Sequence, residues 1–126
     1  MSRTFAAIAA LTFIFASSGA SAQMLKTADT PKDKTFVDAK GMSLYTFDKD
    51  AGGKSTCNGP CAENWPPLAA ADDAKPTADM TIVVRDDGKK MWAYKGKPLY
   101  TFKKDTAPGE TNGDGFLNGA WHMAKP

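Results

Sequence analysis

Apolar positions along this chain come in one long run and then in many short ones. Phe5 to Ala16 is apolar almost throughout. Beyond it the apolar stretches are brief, rich in β-branched and aromatic residues, and bounded by Gly, Asp, Asn and Pro. Such stretches predict strands rather than helices. Gln23 to Lys34 is polar and reads as a flexible lead-in. Thr35–Ala39 then predicts a strand, Lys40-Gly41 a turn, and Ser43–Phe47 a second strand. Met91–Tyr94, Lys95-Gly96 and Leu99–Phe102 predict the same arrangement further on. Between them Met80–Arg85 is a strand that Asp86-Asp87-Gly88-Lys89 turns back, Asp-Gly being a strong hairpin signal. No segment sustains a helical period, and Ala69–Ala74 could form a turn of helix at most. Period two puts Tyr45 with Phe47 on one face and Leu44 with Thr46 on the other.

The pattern repeats. Gly-Met-Ser-Leu-Tyr-Thr-Phe-Asp-Lys-Asp at 41–50 returns as Gly-Lys-Pro-Leu-Tyr-Thr-Phe-Lys-Lys-Asp at 96–105, with seven of ten positions identical. A long loop of Gly, Asn and Asp follows each copy and leads to Trp65 or Trp121. An internal repeat sets the architecture before any single residue does. The expectation is an all-β fold: one small domain of two related β-hairpin or meander repeats, about 35–70 and 80–126, with its core in the Tyr-x-Phe strands, the tryptophans and either the Ile82/Val84 or the Val83 face.

The long apolar run belongs to a targeting segment. Arg3 precedes it, and Ser17 to Ala22 is small and ends in Ala20-x-Ala22. This order predicts a signal peptide over 1–22, cleaved after Ala22. The run is too short to span a bilayer, and no later stretch is apolar enough. No Cys at the cleavage point offers a lipid attachment. A periplasmic or secreted chain is expected. With 16 Lys and Arg against 14 Asp and Glu, the near-balanced charge argues against nucleic acid or polybasic membrane binding. In an exported chain Cys57 and Cys61, the two cysteines, read as a disulfide closing a tight Asn-Gly-Pro turn.

Tyr45-Thr-Phe-Asp-Lys-Asp50 and Tyr100-Thr-Phe-Lys-Lys-Asp105 are each Tyr-x4-Asp. The first copy continues into Cys57-x3-Cys61 and Trp65-Pro66-Pro67-Leu68. This set resembles the bacterial secreted repeat family, often lipoproteins, whose members carry tandem Tyr-x4-Asp motifs. The resemblance spans nearly all of the chain after the leader. It implies location and architecture and brings no reaction with it. Two features depart from the pattern: the lipoprotein Cys is missing, and the second copy lacks both cysteines and has Trp121-His122-Met123 in place of Trp-Pro-Pro.

Candidate chemistry is sparse. A three-residue Cys spacing is wrong for thioredoxin-like catalysis. The binuclear copper motif would need His and Met where Trp65 and Leu68 stand. Periplasmic copper or haem binding through the Cys57/Cys61 pair stays as the alternative to a structural disulfide. His122 and Met123 are soft-ligand types, but neighbours on a strand face opposite ways. Asp48-Lys-Asp50 begins like a calcium loop, yet its twelfth position is Gly59 rather than Glu. Asp50 and Asp105 read as caps for the turns leaving their own strands; the rings of Tyr45 and Tyr100 pack, with hydroxyls reaching a neighbouring loop. No general base stands beside a nucleophile, so no enzyme and no cofactor are expected. The expectation is a monomeric, exported, non-enzymatic binding module for a protein or cell-envelope ligand, with Trp65, Pro66 and Pro67 as its contact surface.

Overall fold

The computed structural model describes residues 25–126, apart from Gly52 and Ala78; the leader and its cleavage point lie outside the described residues. Strands β1 (Lys26–Asp29), β2 (Lys34–Val37) and β3 (Tyr45–Phe47) precede a short helix α1 (Pro60–Asn64). Strands β4 (Met80–Val84), β5 (Lys90–Tyr94) and β6 (Lys97–Pro98), a short turn α2 (Phe116–Gly119) whose Leu117 and Asn118 have left-handed backbone, and strand β7 (Trp121–Met123) follow. They form small antiparallel sheets: β1 with β2, β3 with β7, and β4-β5-β6. The all-β expectation and the two-repeat architecture hold.

The segment read as a flexible lead-in is corrected. Lys26–Asp29 is a strand, in register with Lys34–Val37. Thr30-Pro31-Lys32-Asp33 makes the turn: Thr30 N–H donates to the Asp33 carbonyl at 3.0 Å, and Thr30 Oγ1 accepts from the Lys32 and Asp33 amides. The β1–β2 hairpin is thus the first repeat's counterpart of β4–β5. One strand is polar because it lies mostly exposed, the other apolar because it lies between two cores.

Those two cores follow from strand alternation. Along β5, Met91 and Ala93 face one cluster with Tyr45, Tyr100, Trp65 and Trp121, while Trp92 faces a second with Phe36, Leu44 and Leu99. Val83 enters the first cluster and Ile82 packs on the second. Val84 is exposed, so of the two predicted faces the Val83 face is the one that reaches the aromatic core.

The repeats interlock about a local two-fold relation. Tyr45 N–H donates to the Tyr100 carbonyl at 2.8 Å and Tyr100 N–H to the Tyr45 carbonyl at 2.9 Å. Each motif tyrosine is therefore paired with its own equivalent, as a two-fold axis requires. The other backbone bonds obey the same exchange. Ala124 donates to Leu44 and Leu68 to Leu99, both at 2.9 Å, while Asp48 donates to Ala120 and Lys103 to Asn64. In the second repeat Trp121–Met123 makes a regular strand against β3. In the first, Pro66 and Pro67 lack amide donors, so the equivalent pairing shrinks to a bridge between Pro67 and Tyr100.

Candidate functional site

The motif residues meet at the junction between repeats, and they do so crosswise. Tyr45 Oη donates to Asp105 Oδ2 at 2.5 Å, and Tyr100 Oη donates to Asp50 Oδ2 at 2.6 Å. Neither tyrosine bonds the Asp of its own motif. Each second carboxylate oxygen does cap the loop leaving its strand, as the sequence suggests: Asp50 Oδ1 accepts from the Thr56 amide and Asp105 Oδ1 from the Asn112 amide. Tyr45 and Tyr100 are fully buried. Burial first, and then the carboxylate each one faces, raise both phenols well above their ordinary 10.0.

Around them lies an aromatic stack built from both repeats. Trp65 and Trp121 are parallel, with ring centroids 3.7 Å apart. Phe47 stacks on the outer face of Trp121 at 4.1 Å and Phe102 on that of Trp65 at 4.0 Å. Tyr45 meets Trp65 edge-on, and Tyr100 meets Trp121 likewise. Trp65 is only 3% exposed. The expected presentation of Trp65 is corrected: its ring is spent in the core, stacked on Trp121, while Pro66 and Pro67 beside it are half-buried.

Cys57 and Cys61 form the disulfide, at the entrance to α1, where Pro60 at the helix start suits the fixed φ of that position. Arg85, which the sequence reading did not single out, holds this loop from below. Its guanidinium is buried and donates to Ser55 Oγ at 2.8 Å, the Cys57 carbonyl at 2.6 Å and Asn58 Oδ1 at 3.2 Å. Ser55 lies 2.6 Å from Tyr100 Oη, so the relay runs from Arg85 through Ser55 to the Tyr100–Asp50 pair.

His122 and Met123 point apart, as their spacing predicts. Met123 is in the aromatic core; His122 is on the open face, with Nε2 2.8 Å from Asp48 Oδ2. Thr46 is the residue directly opposite His122, so Asp48 is the diagonal neighbour on the same face. Among the described residues no three His, Cys, Asp or Glu side chains converge as metal ligands.

This open face borders a cleft of about 560 Å³ lined by Thr46, Asp48, Tyr94, Lys95, Lys97, His122 and Lys125 among others. Several of its charges are already engaged. Lys125 reaches Asp33, whose carboxyl is held below the ordinary 3.8 by the Lys34 amide and then by Lys125. Asp114 accepts from Lys32 and from the Met123 amide. Lys95 and Lys97 make no ion pair among the described residues. A second groove, about 400 Å³, lies against Asp38, Ala39, Lys40, Leu68 and Ala69. The backbone exchange pairs Leu68 with Ala124 and Phe36 with Trp92, so the two grooves are related positions in the two repeats.

Fold and junction together define a class: a small β protein in which two copies of one motif clasp each other. The chain belongs to the Lipoprotein_15 family, described as a secreted repeat of unknown function, whose model matches residues 26–69 and again 81–125. The first match begins at β1, which places that strand inside the repeat. No curated protein and no solved structure matches the chain. Among the described residues no helix is long and apolar enough to cross a membrane.

Proposed function

We propose that the protein, exported and trimmed after Ala22, is a non-enzymatic binding module of the periplasm or cell exterior. Its binding face is the cleft bordered by Thr46, Asp48, Tyr94 and His122. The observation that carries this reading is the asymmetry of two related grooves in a fold that otherwise repeats itself. Backbone pairing, aromatic stack and Tyr–Asp bonds obey the two-fold relation. Where the first repeat has Pro66 and Ala69, the second has the exposed His122 and Lys125. The first groove holds Asp38 where the second holds Tyr94. The fold needs only one solution at such positions, so the divergence reflects a requirement other than folding. The volume of the cleft lies within the range of small-molecule sites.

The motif carboxylates and phenols support a non-enzymatic role. Each is committed to a partner across the junction, and the phenols are kept neutral far above physiological pH, so they offer no group to a substrate. The test is heteronuclear NMR of the mature protein titrated with cell-envelope glycan fragments. Amide shifts should gather at Thr46, Tyr94 and His122. Shifts gathered instead at the Cys57–Cys61 loop, or turnover of any added fragment, would overturn the reading.

A further inference from the structure

We infer that this cleft receives an acidic sugar, its carboxylate or phosphate held by Lys95 and Lys97; the inference rests on the reading of the cleft as the binding face. Three observations converge. The first is charge. Asp48 is engaged by His122, Asp114 by Lys32, and Lys125 by Asp33. The cations left without an ion pair along the cleft, among the described residues, are Lys95 and Lys97. An incoming oxyanion therefore meets two ammonium groups that it need not take from another carboxylate, and a charge-assisted hydrogen bond is the strong kind.

The second is backbone. Lys95 sits at φ 50 beside Gly96 at φ 85. A two-residue hairpin with both φ values positive favours Asn-Gly or Gly-Gly, since a long side chain is disfavoured there. The equivalent turn of the first repeat is one residue longer, and its Lys40 is not at positive φ. Asp38 caps that turn instead, accepting from the Lys40 and Met42 amides. The second repeat thus holds a lysine where folding prefers asparagine, and unfavourable backbone of this kind gathers where a ligand is held.

The third is the neighbouring ring. Lys95 Nζ lies 5.3 Å from the centroid of the Tyr94 ring, and Tyr94 is among the residues that line the cleft. Tyr94 is half-buried and shares the cleft lining with Thr46 and the His122–Asp48 pair, so cationic, aromatic and hydroxyl-bearing residues border one cleft. A sugar ring bearing one oxyanion uses all three, whereas a bare anion uses only the first.

The experiment compares glucose, glucuronate, glucose phosphate and inorganic phosphate as probes by calorimetry and amide shifts on the mature chain. Glucuronate and glucose phosphate should bind at the cleft more tightly than glucose or inorganic phosphate, and weaken as salt rises. Lys97→Gln should cost roughly tenfold in affinity, the equivalent of one charged hydrogen bond. Lys95→Asn should lose a similar factor while raising Tm, because asparagine relieves the turn; a misfolded variant could not show that combination. Equal binding of glucose and the acidic sugars leaves the cleft as the binding face and overturns the acidic class. Inorganic phosphate binding as tightly as glucose phosphate overturns the sugar. A cleft silent to all four overturns the inference, and silence to neutral envelope fragments as well removes the underlying reading too.

Discussion

At the scale of single residues the structure turns on two phenol–carboxylate bonds, and their crossed pairing is testable. Asp105 is buried, so Tyr45→Phe strands its Oδ2 without a donor. That should cost about 1–3 kcal/mol. In a double-mutant cycle Tyr45→Phe with Asp105→Asn should couple by about 0.5–3 kcal/mol, whereas Tyr45→Phe with Asp50→Asn should add nearly independently. Coupling to Asp50 instead would refute the exchange. The same bonds set a pH limit. Burial and then the facing carboxylates raise the Tyr45 and Tyr100 phenols above 10.0, their value in the unfolded chain. Below pH 10 both states hold these protons, and the contribution is fully present. Above it the unfolded chain ionises while the folded chain does not, so stability falls as pH rises toward the folded values. Tm should therefore drop above about pH 10, and tyrosinate absorbance should show two of the three tyrosines ionising only with unfolding. The motif itself was legible in the sequence; the partner of each Tyr was not. Asp50 and Asp105 are chemically the same and sit at the same spacing, so only the two-fold arrangement decides which one a given Tyr meets.

At the scale of elements, legibility tracked burial. Strands β4 and β5 were readable because both faces meet apolar neighbours and Asp-Gly marks the turn between them. Strand β1 was not, since its exposed side chains leave no alternation to read; only the Thr-Pro-Lys-Asp turn and the position of the repeat pointed to it. Trp65 misled for a related reason. Two prolines suggest a stiff presented loop, but they limit only backbone pairing, and the side chain before them is free to enter the core. Trp65→Ala should accordingly cost about 3–5 kcal/mol in chemical unfolding, the range for a buried large aromatic, and a cost below 1 kcal/mol would place the ring at the surface after all. The disulfide loop is smaller in effect. Cys57 and Cys61 are separated by four positions, and so short a closure stabilises by less than the ~3 kcal/mol of a 15-residue loop. Arg85 also grips the loop from within through Ser55, the Cys57 carbonyl and Asn58. Replacing both cysteines with serine should lower Tm by several degrees and leave the fold intact by NMR; global unfolding on reduction would show that the loop staples the whole domain.

At the scale of the molecule, the crossed contacts leave neither repeat a core of its own. Trp121 of the second repeat lies between Trp65 and Phe47 of the first, and Trp65 lies between Trp121 and Phe102 of the second. Each stacked face is thus completed by the other copy. The Tyr–Asp bonds and the Tyr45–Tyr100 backbone pair cross the same boundary. Separating the repeats would expose the stack and strand two buried phenols at once, a cost far above the few kcal/mol that a half of this size could hold in reserve. The two family matches should therefore unfold as one unit. Gly113 supplies a direct probe of the boundary. A Cβ built there would lie 2.6 Å from Trp65 Cη2, so its α-protons sit against the indole of the other repeat and should be displaced by its ring current. That signal reports contact between copies, while the Tyr94 amide reports the β4–β6 sheet within the second copy. In a urea titration followed by NMR the two should vanish at a common midpoint, and Phe47→Ala, made in the first repeat and leaving the Trp65 indole in place, should move both midpoints together. Were the Gly113 signal to be lost while the Tyr94 amide stayed native, the second repeat would be standing alone, and the clasp would be a docking of two domains instead of the formation of one.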